Sequence, residues 1–338
     1  MNWIMRPLSH LYSGVMWTRN WVFDQQILKS QEVSVPVLSV GNLTTGGTGK
    51  TPMVALLIRE LEKRNIRVGI VSRGYKGNFK DYVEVDLHQP WEIFGDEPTM
   101  LKQQFPKVPI CLSPRRVRAA QELTKNHQVD LIVADDGFQH RILQRNLDIV
   151  LFDATVPMST YQVLPEGRLR EPLSSLKRAQ WMVVTKWNLL SESEKEQKQA
   201  WFDRLADVWK IKWLKADLQS VEWVDWEGER VSNPDPDKSA LLSGIGNPLA
   251  FEASVRMLLG SAPAKHFVFE DHHHFKASEV QNIVAQLKSN TKVLTTEKDM
   301  VRLREFEELR SCLLALKTEM TLGGSTDEFW TQIVGLTR

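Results

Sequence analysis

Residues 35–52 read VPVLSVGNLTTGGTGKTP, an apolar run, then a loop of small residues, then Pro52. The β-branched run predicts a buried strand, and proline favours the first turn of a helix. The loop has glycines that allow successive backbone N–H groups to curl around an anion at Gly46, Gly47 and Gly49. Lys50 is placed to reach outer phosphates and Thr51 to ligate Mg²⁺. The stretch predicts a strand, a phosphate-binding loop (P-loop) and a helix.

The loop departs from the strict G-x-x-x-x-G-K-[ST] pattern, because Thr44 stands where the first glycine would be. Partition-type ATPases carry a lysine where this chain has Thr45, which counts against that class. Nucleotide contacts are expected from Thr45, Gly46, Gly47, Thr48, Gly49, Lys50 and Thr51. The alternative is a structural turn, and the flanking strand and helix argue against it.

Short apolar runs recur around this loop, with helical patterns between them. The predicted strands are Val35–Val40, Val68–Ser72, Val108–Cys111, Leu131–Ala134, Ile149–Phe152 and Met182–Thr185. Runs without clean alternation are typical of parallel strands buried on both faces. The order predicts an α/β protein with a doubly wound, mostly parallel sheet of P-loop NTPase type, whose ligands bind at the carboxyl ends of the strands.

The chain changes in character after about residue 187, where the charged stretch SESEKEQK at 191–198 starts a solvated helix. Strand-like runs resume at Ala240–Ser243, His266–Phe269 and Lys292–Thr296. The predicted parts are an N-terminal amphipathic helix at 1–30, a P-loop core domain at 31–155, a second, smaller α/β domain at 156–310 and a C-terminal segment at 311–338. Whether that last segment packs back on the core stays open.

Composition excludes several classes of protein. With 43 Lys+Arg against 42 Asp+Glu, the net charge is +1, so no basic surplus points to nucleic acid. The two cysteines, Cys111 and Cys312, predict neither a disulfide framework nor a cysteine metal site. The sequence shows no spanning helix and no signal peptide, so we expect a chain that stays inside the cell.

The first 28 residues carry an apolar stripe at helical spacing, formed by Ile4, Leu8, Leu11, Val15 and Val22. Aromatic and basic residues flank the stripe: Trp3, Tyr12, Trp17, Arg6, Arg19 and Lys29. This pattern is typical of a helix lying in a membrane interface. A helix packed on the protein's own core is the alternative, and the stripe alone does not choose between them.

A second apolar strand, VDLIVA at 129–134, delivers Asp135 and Asp136 at its end. Downstream of a P-loop, such an aspartate holds Mg²⁺ directly or through water. The alternative is that Asp136 caps the next helix.

Further motifs follow in order along residues 1 to about 300. They are GNL (41–43), GGTGKTP (46–52), SRGY (72–75), GDEP (95–98), DDGFQH (135–140), LPEGRLREP (164–172) and DHHHF (271–275). Together they closely resemble the tetraacyldisaccharide 4'-kinase family, the lipid A 4'-kinases. The resemblance implies transfer of the ATP γ-phosphate to the 4'-hydroxyl of tetraacyldisaccharide 1-phosphate, with Mg²⁺, at the cytoplasmic face of the bacterial inner membrane.

The resemblance also implies roles for single residues. Asp96 resembles the catalytic base and His272 its partner, with His273 as the reserve; capping by Asp96 and a zinc site among the histidines are the alternatives. Arg170 resembles the residue that neutralises developing phosphate charge. The implied metal ligands are Thr51, Asp135, Asp136 and Glu171.

Acceptor contacts are expected from Arg73, His140, Arg115 and Arg118, with a structural histidine and a solvated helix face as the alternatives. A four-chain lipid acceptor favours the interfacial interpretation of residues 1–28, because such a lipid does not leave the bilayer easily. We expect no nucleic-acid partner and no obligate protein partner.

Two other classes compete with a lipid kinase. TKWN at 185–188 ends a strand where a guanine-reading [NT]-K-x-D motif would sit, but Asn188 replaces the required aspartate. A P-loop nucleotide switch is therefore the first alternative, and a partition-type membrane ATPase the second.

Overall fold

The computed structural model describes residues 2–288 and 290–338, with side chains from residue 5 onward. Ile4 of the predicted stripe and Trp3 beside it therefore lie outside the described side chains. The helices are α1 Asn2–Asp24, α2 Lys50–Glu62, α3 Trp91–Phe94, α4 Asp96–Gln104, α5 Arg116–Asn126, α6 Glu192–Trp209, α7 Pro248–Leu259, α8 Ala277–Ala285, α9 Glu297–Leu303 and α10 Asp327–Gly335. The strands are β1 Val37–Asn42, β2 Val68–Ser72, β3 Val83–Glu84, β4 Ile110–Leu112, β5 Leu131–Asp135, β6 Leu147–Asp153, β7 Trp181–Thr185, β8 Lys212–Val224, β9 Arg230–Val231, β10 Ser239–Ser243, β11 His266–Val268, β12 Lys292–Thr296 and β13 Leu313–Gly323.

One sheet of 13 strands runs through the described chain in the order β11-β10-β12-β13-β8-β7-β6-β1-β5-β2-β4-β3, with β9 beside β8. Most neighbours are parallel, and β3–β4, β8–β9 and β8–β13 are antiparallel. The predicted α/β class with a mostly parallel sheet is confirmed. Across the described residues, no helix combines the length and apolarity that crossing a membrane requires.

The centre of the sheet positions the phosphate loop. Strand β1 pairs in parallel with β5 and β6, and all six of its residues are buried. Helix α2 covers this part of the sheet with Met53, Leu57 and Leu61, which recur every fourth residue and are fully buried. The loop between β1 and α2 therefore opens at the carboxyl ends of the central strands, beside Asp135 at the end of β5.

The long strands β8 and β13 were not predicted from the sequence. They pair antiparallel from Ala315–Val224 to Gly323–Lys215, with a shift of register at Lys317/Thr318. Because β8 also pairs with β7 and β13 with β12, this ribbon joins the two parts of the sheet. The sheet is continuous across the expected boundary, and the division into domains stays a prediction.

Helix α10 packs against the core that α2 and β1 build. Phe329 and Ile333 are fully buried in the same cluster as Leu38 and Leu57. The Phe329 ring meets Trp181 edge to face, with 5.2 Å between ring centroids.

Replacing Phe329 with alanine should lower the free energy of unfolding by about 3–5 kcal/mol, because a fully buried aromatic ring leaves a cavity. Urea titration followed by tryptophan fluorescence measures the change. Phe329→Leu is the matched control and should cost much less. Equal stability of Phe329→Ala and the parent would show that α10 adds nothing to the core.

Candidate active site

The phosphate loop is held in an open curve by backbone conformation and by a second segment. Gly46 and Gly49 adopt left-handed backbone conformations, with φ of 112° and 83°. Thr45 N donates to the Arg168 carbonyl at 2.8 Å, and Arg170 N donates to the Leu43 carbonyl at 2.7 Å. The segment that contains the GRLR motif is thereby fastened to the loop's first residues.

Strand β7 holds the other side of the loop. Thr185 Oγ1 donates to the Thr48 carbonyl at 3.0 Å, and Lys186 Nζ donates to the Gly47 carbonyl at 3.0 Å. The amide of Asn188 makes two 3.1 Å hydrogen bonds with the backbone of Leu218. Its donor and acceptor are therefore occupied, which argues further against a guanine-reading site.

A cluster of cations surrounds Asp136, which has a left-handed backbone with φ of 48°. Its carboxylate lies 3.5 Å from Lys50 Nζ and 3.4 Å from the Arg170 guanidinium, and its carbonyl accepts from Arg116 at 3.0 Å. Burial alone would raise the pKa of Asp136, but these charges outweigh burial and lower it. Such a cluster suits a polyanion.

Asp135 differs from its neighbour because few cations reach it. Burial, aided by the charge of Glu97, raises the pKa of Asp135 to about 6. Oδ2 accepts from Ser72 at 3.2 Å, whereas Oδ1 is buried and has no partner within the described chain. A buried acceptor oxygen without a partner fits a hydrated Mg²⁺.

The donor set around the loop consists of oxygens: Thr51, Asp135 and Asp136. Among residues 2–288 and 290–338, no three His, Cys, Asp or Glu side chains form a ready metal cage. Mg²⁺ fits this arrangement, because it is usually held by one or two carboxylates together with substrate phosphates. The same finding gives no support to the zinc alternative.

The role of Glu171 as a metal ligand stays a prediction, and the described chain gives its carboxylate other partners. The carboxylate is fully buried, and its Oε2 accepts from Arg178 at 2.9 Å, Ser175 at 2.8 Å and Asn20 at 2.9 Å, whereas Oε1 has no hydrogen-bond partner within the described chain. A buried carboxylate needs compensation, and the guanidinium of Arg178 supplies it. The pKa of Glu171, which burial would raise, is lowered by these partners. Glu171 links α1 to the segment that carries Arg170.

Asp96 and His272 meet across the predicted domain boundary. Asp96 begins α4, and its Oδ1 accepts the backbone N–H of Glu97 at 2.9 Å. Its Oδ2 lies 2.9 Å from His272 Nδ1. The Glu97 contact and the histidine contact therefore use different oxygens of one carboxylate. Gly95, and not Asp96, occupies the N-cap position of α4, and the role of Asp96 as the base stays a prediction.

Two cations of α9, neither of them predicted from the sequence, complete the surroundings of Asp96. Lys298 Nζ lies 4.0 Å and Arg302 Nε 3.8 Å from Asp96 Oδ2. Burial alone would raise the pKa of Asp96, but the His272 hydrogen bond and these charges lower it. In the sequence, Lys298 lies in the run TEKD at 296–299, which by itself does not indicate a contact with Asp96.

The other two histidines of the HHH run face different neighbours. His273 Nε2 lies 3.0 Å from Glu279 and its ring stacks on Phe269. His274 lies against Trp91, with 5.0 Å between ring centroids. Of the three, the structure brings His272 to Asp96.

The predicted acceptor residues separate into two groups. Arg115 lies 3.0 Å from Asp81 and Arg118 is paired with the same carboxylate. Both guanidinium charges are thus partly neutralised on the exposed side of α5, which counts against their predicted role. Arg116 between them, which was not predicted as a site residue, is buried and donates to the Asp136 carbonyl.

His140 lies near that buried arginine. Burial, followed by the positive charges of Arg116, Arg145, Arg19 and Arg73, lowers the pKa of His140 to about 4. Its Nε2 is buried with no partner in the described chain. A neutral imidazole among arginines suits contact with a phosphate or a sugar hydroxyl.

Helix α1 turns its polar side inward. Ser9 donates to the Val163 carbonyl, Tyr12 to the Arg170 carbonyl, both at 3.0 Å, and Asn20 to Glu171. The outward side is apolar: Leu8 is 49% exposed, Leu11 69%, Val15 60%, Trp17 61% and Trp21 44%. This inverted pattern does not match a helix packed on its own core by an apolar face.

Known proteins share both the sequence and the fold. Residues 1–337 match the family described as Tetraacyldisaccharide-1-P 4'-kinase. A tetraacyldisaccharide 4'-kinase of Bdellovibrio bacteriovorus is 35% identical over 327 residues, covering 95% of each chain. One of Legionella pneumophila is 31% identical over 332 residues, covering 98% of this chain and 92% of that one.

A solved structure agrees with these relatives. The crystal structure of LpxK from Aquifex aeolicus, described as the "apo" form in complex with ATP, superimposes with a TM-score of 0.80 at 27% identity, covering 98% of both chains. The family match spans nearly the whole chain, and the fold agrees over the same extent. This chain belongs to the tetraacyldisaccharide-1-P 4'-kinase family.

Proposed function

We propose that this protein transfers the γ-phosphate of ATP to the 4'-hydroxyl of tetraacyldisaccharide 1-phosphate and forms lipid IVA in lipid A biosynthesis. The observation that carries the proposal is a buried, ionised Asp96 held by His272, in the same molecule as a phosphate loop with its cations at Asp136. Family membership and the names of the relatives support the acceptor. The ATP complex of the Aquifex aeolicus protein supports the donor.

In this proposal the loop residues 45–51 hold the triphosphate, and Lys50 and Arg170 face its outer oxygens. Thr51, Asp135 and Asp136 would hold Mg²⁺, which when bound neutralises charge on the phosphates. Lys50 and Arg170 then exchange part of their contact with Asp136 for the transferring group. Reorganising these two side chains costs little free energy, because both already lie beside Asp136.

Asp96 is the base of the transfer step. It accepts the proton of the 4'-hydroxyl while that oxygen bonds to the γ-phosphorus, and the bond from phosphorus to the β–γ bridging oxygen breaks, so ADP leaves. Because its pKa lies below the usual range, Asp96 is ionised at neutral pH and ready to accept. His272 and the two cations of α9 hold the carboxylate in place.

The acceptor's charged head group is proposed to lie near Arg116, His140 and Arg73. Arg116 lies near both Asp136 and His140, because its positive charge lowers the pKa of each of them. The acyl chains are proposed to stay with the membrane. Helix α1 lies in the interface of the inner membrane at its cytoplasmic face in this proposal, with the apolar side toward lipid.

Incubation with γ-labelled ATP, Mg²⁺ and tetraacyldisaccharide 1-phosphate in detergent should give a labelled lipid with one additional phosphate. Thin-layer chromatography separates this product from free phosphate. Lys50→Ala should abolish the labelled lipid, because the outer phosphates lose their cation. Label that appears in free phosphate alone would favour the nucleotide-switch or partition-ATPase alternatives over the kinase.

Asp96→Asn should lower kcat by roughly 100- to 10,000-fold and leave the KM for ATP near its parent value, because the base is needed only at transfer. Steady-state kinetics with saturating acceptor measure both constants. Asp130→Asn is the matched control: this aspartate pairs with Arg67 at 2.6 Å, before the start of β5. Near-normal turnover of Asp96→Asn would leave Asp96 with the Glu97 contact alone.

The double variant Leu11→Glu/Val15→Glu should weaken sedimentation with anionic phospholipid vesicles more than tenfold, because two apolar side chains each lose about 1.5–3 kcal/mol of burial. Leu249→Glu/Met257→Glu changes two equally exposed apolar residues of α7 and should leave sedimentation unchanged. Equal loss in both double variants would contradict a specific role of α1.

A further inference from the structure

Lys298 reaches the ring nitrogen of His272 that does not face Asp96. Its Nζ lies 3.0 Å from His272 Nε2, 3.4 Å from Glu97 Oε1 and 4.0 Å from Asp96 Oδ2. The other ring nitrogen, Nδ1, lies 2.9 Å from Asp96 Oδ2. Each ring nitrogen therefore has one charged neighbour, the amine at Nε2 and the carboxylate at Nδ1.

The positions of the protons among Lys298, His272 and Asp96 depend on which of these groups can donate. A lysine ammonium only donates, and an ionised carboxylate only accepts. Two carboxylate oxygens also lie near the Lys298 ammonium, Glu97 Oε1 at 3.4 Å and Asp96 Oδ2 at 4.0 Å. The ammonium beside Nε2 disfavours a proton on that nitrogen, and the carboxylate beside Nδ1 favours one there, which places the single ring proton on Nδ1.

We propose that Lys298 is a positioning residue that holds His272 in the neutral tautomer with its proton on Nδ1, and thereby keeps Asp96 oriented as the base. The inference rests on the proposed kinase function for its kinetic consequence. The tautomer itself is a property of the protein alone.

Every other arrangement of protons is worse. A doubly protonated ring would place an N–H and a positive charge against the Lys298 ammonium at 3.0 Å. A neutral ring with its proton on Nε2 would place that N–H against the Lys298 ammonium. Its unprotonated Nδ1 would then face the Asp96 carboxylate, with no proton to donate to it. The charged and titratable groups around the ring are Asp96 and Glu97 of α4, Lys298, Asp299 and Arg302 of α9, Asp271 of its own loop and Tyr75.

The backbone under His272 is fixed as well. His272 adopts a left-handed conformation with φ of 61°, and its N–H donates to the Gly244 carbonyl at 3.0 Å. Arg302 donates to the carbonyls of Gly244 and His273, at 3.0 and 2.9 Å, while Asp299 accepts the Gly244 N–H at 3.1 Å. Helix α9 thus holds both the loop and, through Lys298, the ring.

The first experiment reads the tautomer directly. Protein labelled with ¹⁵N-histidine contains eight histidines, and the His272→Gln variant assigns the signal of interest. At neutral pH the parent should show a protonated Nδ1 and an unprotonated Nε2. Lys298→Met should show a mixture of the two neutral tautomers. Parent spectra with the proton on Nε2, or an unchanged tautomer in Lys298→Met, would overturn the proposal whatever the protein's activity.

The second experiment reads the consequence. Lys298→Met should lower kcat about tenfold to a hundredfold with little change in the KM for ATP, and Lys298→Arg should restore the tautomer and part of kcat. Lys298 lowers the pKa of Asp96, so its removal raises that pKa. Asp96 acts as a base only when ionised, and activity is lost as pH falls through its pKa. The acid limb of the profile should therefore move to higher pH.

Lys276→Met is the matched control, because Lys276 is an exposed lysine in the segment that follows the histidines. It should change neither the tautomer nor the pH profile. Circular dichroism tests whether Lys298→Met is folded, and Lys298→Leu carries the same comparison if it is not. A folded Lys298→Met with parent kcat and an unmoved acid limb would contradict the positioning role.

Discussion

The buried negative charge of Asp96 constrains both the architecture and the chemistry of this protein. The residue is 4% exposed, and a buried carboxylate without compensation costs several kcal/mol. Its compensating groups come from His272 and from Lys298 and Arg302 of α9, far along the chain. Moving the two parts of the sheet apart would leave the charge without partners. The ribbon of β8 and β13 keeps the sheet continuous and thus helps to keep Asp96 beside its compensating groups.

Around the phosphate loop the balance of charge is reversed. Several cations, Lys50, Arg170 and Arg116, converge on the single residue Asp136. The loop's carbonyls are fastened by β7, and its first residues are fastened by the segment around Arg170. An anion that enters this site meets donors already in place. In the proposed reaction, the surplus of positive charge faces the donor and the fixed negative charge of Asp96 faces the acceptor hydroxyl.

The loop, α2 and the central strands could be predicted from the sequence. Each is a short segment whose apolar run or glycines indicate its structure without reference to distant residues. Partners from distant segments were not readable. The buried contacts of Glu171 with Arg178 and Asn20 have no signal in the motif that suggested a metal ligand. In RRVR at 115–118, the rotation of α5 directs Arg116 inward and the two predicted arginines toward Asp81. Strands β8 and β13 were missed because polar residues interrupt their apolar pattern.

Helix α1 joins the proposed membrane contact to the chemistry. Its inner side is polar because it has to bond backbone and charged groups: Tyr12 holds the Arg170 carbonyl and Asn20 holds Glu171. Those contacts hold the backbone of Arg170 and the side chain of the residue that follows it. The apolar outer side has nothing to bury it within the described chain. A lipid surface provides what that side lacks, and the acceptor is proposed to reside in such a surface. One helix then faces the membrane of the substrate and supports the arginine that meets the transferring phosphate.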